Sequence, residues 1–131
     1  MNRDRFEQLV AKAVETLPDE FLERLENIVV AVEDYPTSDQ LTRAGVKRGK
    51  ILLGLYEGVP LTKRGRYYSL VSPDYITIFK KPIESKCGDD DAITTEIQRV
   101  VQHEIAHHFG IGDARLKQIE KAKIKHKGKA I

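Results

Sequence analysis

Apolar residues recur at helical spacing near the start of the chain. In the segment DRFEQLVAKAVETL they lie three and four positions apart, and Asp4 is a plausible N-cap. Pro18 interrupts the pattern, and PDEFLERL then predicts a short helical turn with proline at its first position. The two segments predict an N-terminal helix and a second, shorter one. The apolar side of the first consists of Phe6, Leu9, Val10, Ala13, Val14 and Leu17.

Three later stretches are apolar without helical spacing, and they predict β-strands. The first runs from Ile28 to Val32 and is mostly β-branched, which is typical of a buried strand. The second lies in KILLGLYEGVP, and the third is DYITIFKKPIE, where Pro82 and the charges of FKK suit a sheet edge. TSDQLTRAG predicts one or two helical turns that end at Gly45, and PLTKRGRYYSLVSP predicts a loop or hairpin.

A long helix is predicted from Asp89 onward to Gly110, capped by one of the three aspartates at positions 89–91, with a last helix from about Asp113. On a helical wheel one side of it is a ridge formed by Ile93, Ile97, Val101, Ile105 and Phe109. The opposite side is predicted to face solvent and carries Thr95, Gln98, Arg99, Gln102 and Ala106. Helices and strands mixed in this way predict an α+β (mixed α/β) domain with a small twisted sheet.

The composition is that of one globular domain over residues 1–131. Hydrophobic residues make up 40% of the chain and charged residues 32%, which are ordinary values for such a domain. No apolar run is long enough to cross a bilayer, and the N-terminus lacks the apolar region of a signal peptide. We therefore expect a cytoplasmic protein with no membrane partner. Cys87 is the only cysteine, so an intrachain disulfide is excluded.

The net charge of +2 conceals a basic C-terminus. Six lysines lie between Lys117 and Lys129. We expect residues 121–131 to form a basic, flexible tail beyond the last helix. Such a tail adds salt-dependent attraction to nucleic acid, so it permits a nucleic-acid partner without favouring one.

The segment VQHEIAHHFGIGDARL, within and after the long helix, combines histidines and a glutamate with aliphatic residues. His103 and His107 are one helical turn apart and project side by side, which suits two nitrogen ligands of one Zn²⁺. Glu104 falls in the apolar sector, where an unpartnered carboxylate loses several kcal/mol of solvation. A metal and its bound water remove this anomaly. The pattern is H-E-x-x-H, in which the glutamate faces the water and acts as general base.

The residues after the second histidine extend this motif. Gly110 follows His107 by three positions and allows the chain to turn back, because glycine accepts the left-handed conformation. Asp113 lies ten positions after His103, where the pattern H-E-x-x-H-x-x-G-x-x-H has its third ligand. Glu120, the only acidic residue further along, is the rival third ligand. We predict one Zn²⁺ per chain, held by His103, His107 and Asp113.

The stretch HEIAHHFGIGD resembles the active-site consensus of the zincin group of zinc metallopeptidases, in the version with aspartate as third ligand. Over about Ala31 to Ile119 the chain is similar to a family of small bacterial and archaeal zincin-like metallopeptidases. The similarity lies in three segments, which occur in the order ILLGLYEGVPLTKRG, PDYITIFKKPIE and HEIAHHFGIGDARL. The resemblance implies three to four strands packed on an N-terminal helix and on the active-site helix, which lies beneath an edge strand. Met1 is the only methionine, so the Met-turn of the metzincins is absent.

Three functions fit these residues. A zinc metallopeptidase with Glu104 as general base, acting on a peptide or protein substrate, accounts for the whole motif. A metal-dependent RNA hydrolase is permitted by the basic tail. The related motif of small zincin-like RNases, however, has three histidines and no glutamate after the first histidine. A non-catalytic metal-binding interaction module is the third alternative. The open fourth coordination position counts against it, because purely structural zinc sites tend to be closed by four protein ligands.

The remaining candidates concern the substrate and the support of the site. If YITIF is an edge strand, an extended peptide can pair with it at Ile76, Thr77 and Ile78. A phenol that stabilises the oxyanion can come from Tyr67, Tyr68 or Tyr75, and the sequence does not choose among them. His108 points about 100° away from its neighbour His107, so we expect it to pack or to support a ligand.

Overall fold

A computed structural model describes residues 1–47, 49–58, 73–112, 114–119 and 121 of the chain. The elements are helices α1 (Arg3–Glu15) and α2 (Asp19–Arg24), strand β1 (Ile28–Glu33), helix α3 (Ser38–Arg43), strands β2 (Gly54–Glu57) and β3 (Asp74–Phe79), and helices α4 (Lys80–Lys86) and α5 (Asp90–Phe109). Residues 114–119 are again helical. The fold is the predicted mixture of α and β.

The described strands form one sheet in the order β1-β3-β2. β1 is parallel to β3, and β2 is antiparallel to it. The central position of β3 explains its burial, which is complete from Ile76 to Phe79. β1 was predicted to be buried, but it is an outer strand in the described sheet. Only Val32 in it is buried, and Val29 is 42% exposed.

Two predictions about the YITIF segment are wrong. β3 is paired on both sides, so Ile76, Thr77 and Ile78 offer no free backbone edge to an extended peptide. The segment after it is not an edge strand either, because helix α4 begins at Lys80 directly after the strand ends. Pro82 lies in the first turn of α4, where a missing backbone N–H removes no intrahelical hydrogen bond.

The predicted N-terminal helix is present with a different cap. The Asn2 Oδ1 accepts a hydrogen bond from the Arg5 amide at 2.8 Å, so Asn2 is the N-cap of α1 and Asp4 lies in its first turn. A negative charge there is favourable to the helix dipole. The apolar side packs mainly against α5 and is formed by the buried Phe6, Leu9, Val10 and Ala13.

Helix α5 has the predicted ends. The side chain of Asp89 accepts a hydrogen bond from the Ala92 amide at 2.7 Å, and Gly110 adopts the left-handed conformation with φ of 69°. After this turn the chain rejoins the body of the protein, because Leu116 and Ile119 are buried in the core. Arg115 forms an ion pair with Glu20, just inside α2, at 2.9 Å.

The solvent-facing side predicted for α5 is partly wrong. Gln98 donates a hydrogen bond to the Ala13 carbonyl at 3.2 Å, so this side of α5 faces α1. Gln102 and Ala106 continue the same row toward the C-terminus and are buried. Phe109, assigned to the buried ridge, is instead 43% exposed. The helix is therefore enclosed by α1 as well as by the sheet.

Several predicted features fall outside the described residues. They are the hairpin or loop PLTKRGRYYSLVSP with Tyr67 and Tyr68, apart from its last proline, and the basic tail 121–131 apart from Lys121. Tyr75 is described and is 42% exposed in β3. Among the described residues, no helix is both long enough and apolar enough to cross a membrane.

Candidate metal centre

The H-E-x-x-H residues lie in the last two turns of α5. His103 is half-buried, and His107 is exposed. Within the described part of the chain, neither imidazole is engaged in a hydrogen bond or an ion pair. Both rings are one turn apart on a helix with a fixed end at Gly110, so they are available as a pair of nitrogen ligands.

The Glu104 carboxylate is directed to the sheet. It is half-buried, and its Oε2 accepts a hydrogen bond from the Tyr56 amide of β2 at 3.2 Å. Burial raises the pKa of Glu104, while the Tyr56 hydrogen bond and the charges of His107 and His103 lower it, and burial prevails. A carboxylate with a raised pKa is a stronger base than a solvated one, which suits general-base catalysis.

Strand β2 lies close against α5. Gly54 has no room for a side chain, because a Cβ there would be 2.4 Å from Cγ1 of Val100 and 3.2 Å from the Thr77 carbonyl oxygen. Two residues further along, the ring of Tyr56 stacks on His108, with centroids 3.8 Å apart and an angle of 14° between the planes. The packing role predicted for His108 is therefore confirmed.

The third metal ligand stays a prediction. Asp113 and its rival Glu120 lie outside the described residues, and no group of three metal-binding side chains occurs among the residues that are described. The backbone before Asp113 turns as predicted. The Ile111 amide donates to the Ala106 carbonyl at 2.8 Å across the left-handed Gly110, which closes the helix.

The donors that are described fit a zinc ion. Two imidazoles at positions i and i+4 are the usual start of a zinc site, and a catalytic site adds one more protein ligand and leaves one position open. The Glu104 carboxylate, next to His103 in the helix, is bonded through Oε2 to the Tyr56 amide.

Tyr56 and Asp74 are not among the site residues predicted from the sequence. The Tyr56 hydroxyl donates a hydrogen bond to Asp74 Oδ2 at 2.5 Å, which links β2 to the start of β3. The signal in the sequence was the alternation of Gly54 and Tyr56 in the second strand, which places both residues on one side of it. That alternation does not reveal that the side in question faces α5.

The mixed sheet and the H-E-x-x-H helix against its outer strand together indicate a protein of the zincin class. A family model described as zincin-like metallopeptidase matches residues 25–123. The chain therefore belongs to the zincin-like metallopeptidase family, as the resemblance of its motifs predicted. The family name indicates a metal-dependent peptidase.

A similar solved structure supports the fold. It is a conserved hypothetical protein from Thermus thermophilus, which is 22% identical in sequence and has a TM-score of 0.56. The match covers 83% of this chain and 94% of that one. At this identity the likeness shows a shared fold and carries no assignment of activity. Comparison with curated proteins gave no match.

Proposed function

We propose that this chain is a zinc-dependent peptidase that hydrolyses peptide bonds in a peptide or protein substrate. His103, His107 and Asp113 would hold the metal, and Glu104 would be the general base. The observation that carries the proposal is the placement of Glu104, which is half-buried beside two imidazoles and held by the Tyr56 amide. Membership of the zincin-like family supports it.

The two oxygens of the Glu104 carboxylate have separate tasks in this mechanism. Oε2 is bound to the Tyr56 amide, and no described residue is hydrogen-bonded to Oε1. Oε1 would take a proton from the attacking water and pass it to the leaving amine. The zinc ion, when bound, supplies a Lewis acid that polarises the scissile carbonyl and acidifies a coordinated water.

The first test is metal content, measured by elemental analysis of protein purified without a histidine tag. We expect about one zinc per chain, which is lost or weakened in His103→Ala and in Asp113→Asn. Asp91→Asn is the matched control, because Asp91 is an exposed carboxylate in the first turn of the same helix. Wild-type protein that takes up no zinc on titration would leave only the non-catalytic module.

The second test separates the base from the ligands. Glu104→Gln should keep its zinc and lose hydrolysis of fluorescently labelled casein by about 100-fold or more, since the amide accepts no proton. Glu96→Gln is the control on the same helix, where Glu96 pairs with Lys86 and Arg99. Full activity in Glu104→Gln would refute the assignment of the base. Cleavage of RNA in place of casein by the zinc-loaded protein would support the hydrolase alternative.

A further inference from the structure

Contacts between β2 and α5 are centred on Glu104. Val100, Glu104 and His108 are four residues apart and lie along one row of the helix, facing Gly54 and Tyr56 of the strand. At one end of the row Gly54 meets Val100, and at the other the Tyr56 ring stacks on His108. The hydrogen bond to Glu104 lies between these two contacts. Strand and helix are thus fixed on both sides of the proposed base.

The Tyr56 ring is held at two points. Its face lies 3.8 Å from the imidazole of His108, and its hydroxyl donates to Asp74 Oδ2 at 2.5 Å. Asp74 is the first residue of the central strand, so this bond ties the ring to β3. Because the ring is fixed, the backbone of Tyr56 cannot move away from α5 without breaking the stack.

The hydrogen bond from Tyr56 restricts a flexible side chain. A glutamate has several rotamers, and one bonded through a single oxygen keeps the other in a defined direction. A hydrogen bond to a charged acceptor favours the bonded rotamer by roughly tenfold to hundredfold. Catalysis by proton transfer depends on such placement, because the base must lie within hydrogen-bond reach of the proton that it takes.

We propose that the stack of Tyr56 on His108 positions the Glu104 carboxylate by holding the β2 amide against Oε2. Both are positioning residues, since they act through Glu104. The inference rests on the proposed function, in which Glu104 is the base. Its structural part, that His108 keeps the Tyr56 amide bonded, is independent of any reaction.

Amide hydrogen exchange of metal-free, ¹⁵N-labelled protein tests the structural part. The Tyr56 amide donates to Glu104 Oε2, so loss of this hydrogen bond should lower its protection. We expect this protection to fall about tenfold or more in Glu104→Ala and in His108→Ala. His108 is exposed, so its removal leaves the core intact. The Phe79 amide, bonded to the Leu53 carbonyl, is the internal control and should keep its protection.

Kinetics with labelled casein tests the catalytic part. His108→Ala should lower kcat about tenfold while the zinc content stays unchanged, because the metal ligands are not altered. His108→Phe keeps an aromatic ring for the stack and should restore kcat. Tyr56→Leu should match His108→Ala, whereas Tyr56→Phe, which loses only the hydroxyl, should retain most of the activity.

The outcomes are distinct. Wild-type protection of the Tyr56 amide in His108→Ala would overturn the proposal, and so would a loss of kcat that His108→Phe does not restore. A wild-type protein that binds zinc but cleaves no peptide would instead contradict the proposed function. The exchange data, taken without metal or substrate, would still decide whether His108 holds the Tyr56 amide in place.

Discussion

The close approach of β2 to α5 predicts a specific effect of Gly54→Ala. A Cβ at this position would lie 2.4 Å from Cγ1 of Val100, about 1 Å inside ordinary van der Waals contact at 3.4 Å or more. Either Val100 moves in the core, or the strand retreats from the helix by a comparable distance. A retreat of that size would lengthen the 3.2 Å contact between the Tyr56 amide and Glu104 beyond hydrogen-bonding range.

The energetic size of the effect follows from two opposing contributions. Overpacking of a close-packed core costs about 1–3 kcal/mol. Replacing glycine by alanine returns about 0.4–1 kcal/mol, because it reduces the conformational entropy of the unfolded chain. Gly54→Ala should therefore lower the free energy of unfolding by about 1–2 kcal/mol. In a Val100→Ala background the clashing methyl is absent, so the same substitution should cost less, with only the 3.2 Å contact to the Thr77 carbonyl oxygen remaining.

A double-mutant cycle measured by urea unfolding checks this reasoning. We expect a coupling free energy of about 1–3 kcal/mol between the two positions, in the direction that Val100→Ala relieves the cost of Gly54→Ala. Additive effects of the two substitutions would refute the close approach. The same variants report on the site, since Gly54→Ala should also reduce kcat if the retreat of β2 releases Glu104.

Two further predictions concern the rest of the molecule. Glu84→Gln should destabilise the protein by about 3 kcal/mol at neutral pH, because it deprives the buried Lys80 of its ion-pair partner, whereas Glu7→Gln, in an exposed pair, should cost under about 1 kcal/mol. Burial is the largest influence on Glu84 and raises its pKa, but Lys80 and the N-terminus lower the pKa overall. The effect of Glu84→Gln on the free energy of unfolding, measured by urea titration, should therefore shrink as the pH falls below about 4.3. An effect still undiminished at about pH 2 would contradict this. Removing residues 121–131 should leave zinc content and peptide hydrolysis unchanged, and it should weaken any retention of RNA on filters. A truncated protein that folds but lacks peptidase activity would show that the tail serves the site.

Elements defined by local chemistry were predictable from the sequence. The ends of α5 follow from a capping carboxylate and a glycine. Asp89, one of the three aspartates predicted to cap the helix, is its N-cap, and Gly110 ends it as predicted. The spacing of His103 and His107 with Glu104 follows from the period of the helix alone. These features depend on residues close together in the chain.

Features that depend on distant parts of the chain were not predictable. The order β1-β3-β2 makes YITIF the central strand, and nothing in its own residues reports how many neighbours it has. The helical wheel of α5 predicts only one buried side, because the sequence of the helix does not show that α1 also covers Gln102. Pro82 indicates a sheet edge when only the sequence is considered, although a helix that starts directly after a strand accepts proline in its first turn equally well.

The same limit applies to the site. Tyr56 reaches Glu104 across 48 positions of sequence, and it does so because Gly54 lets the strand approach the helix. Under the proposed function, β2 orients the carboxylate of the base, so a displacement of this strand away from α5 would impair proton transfer.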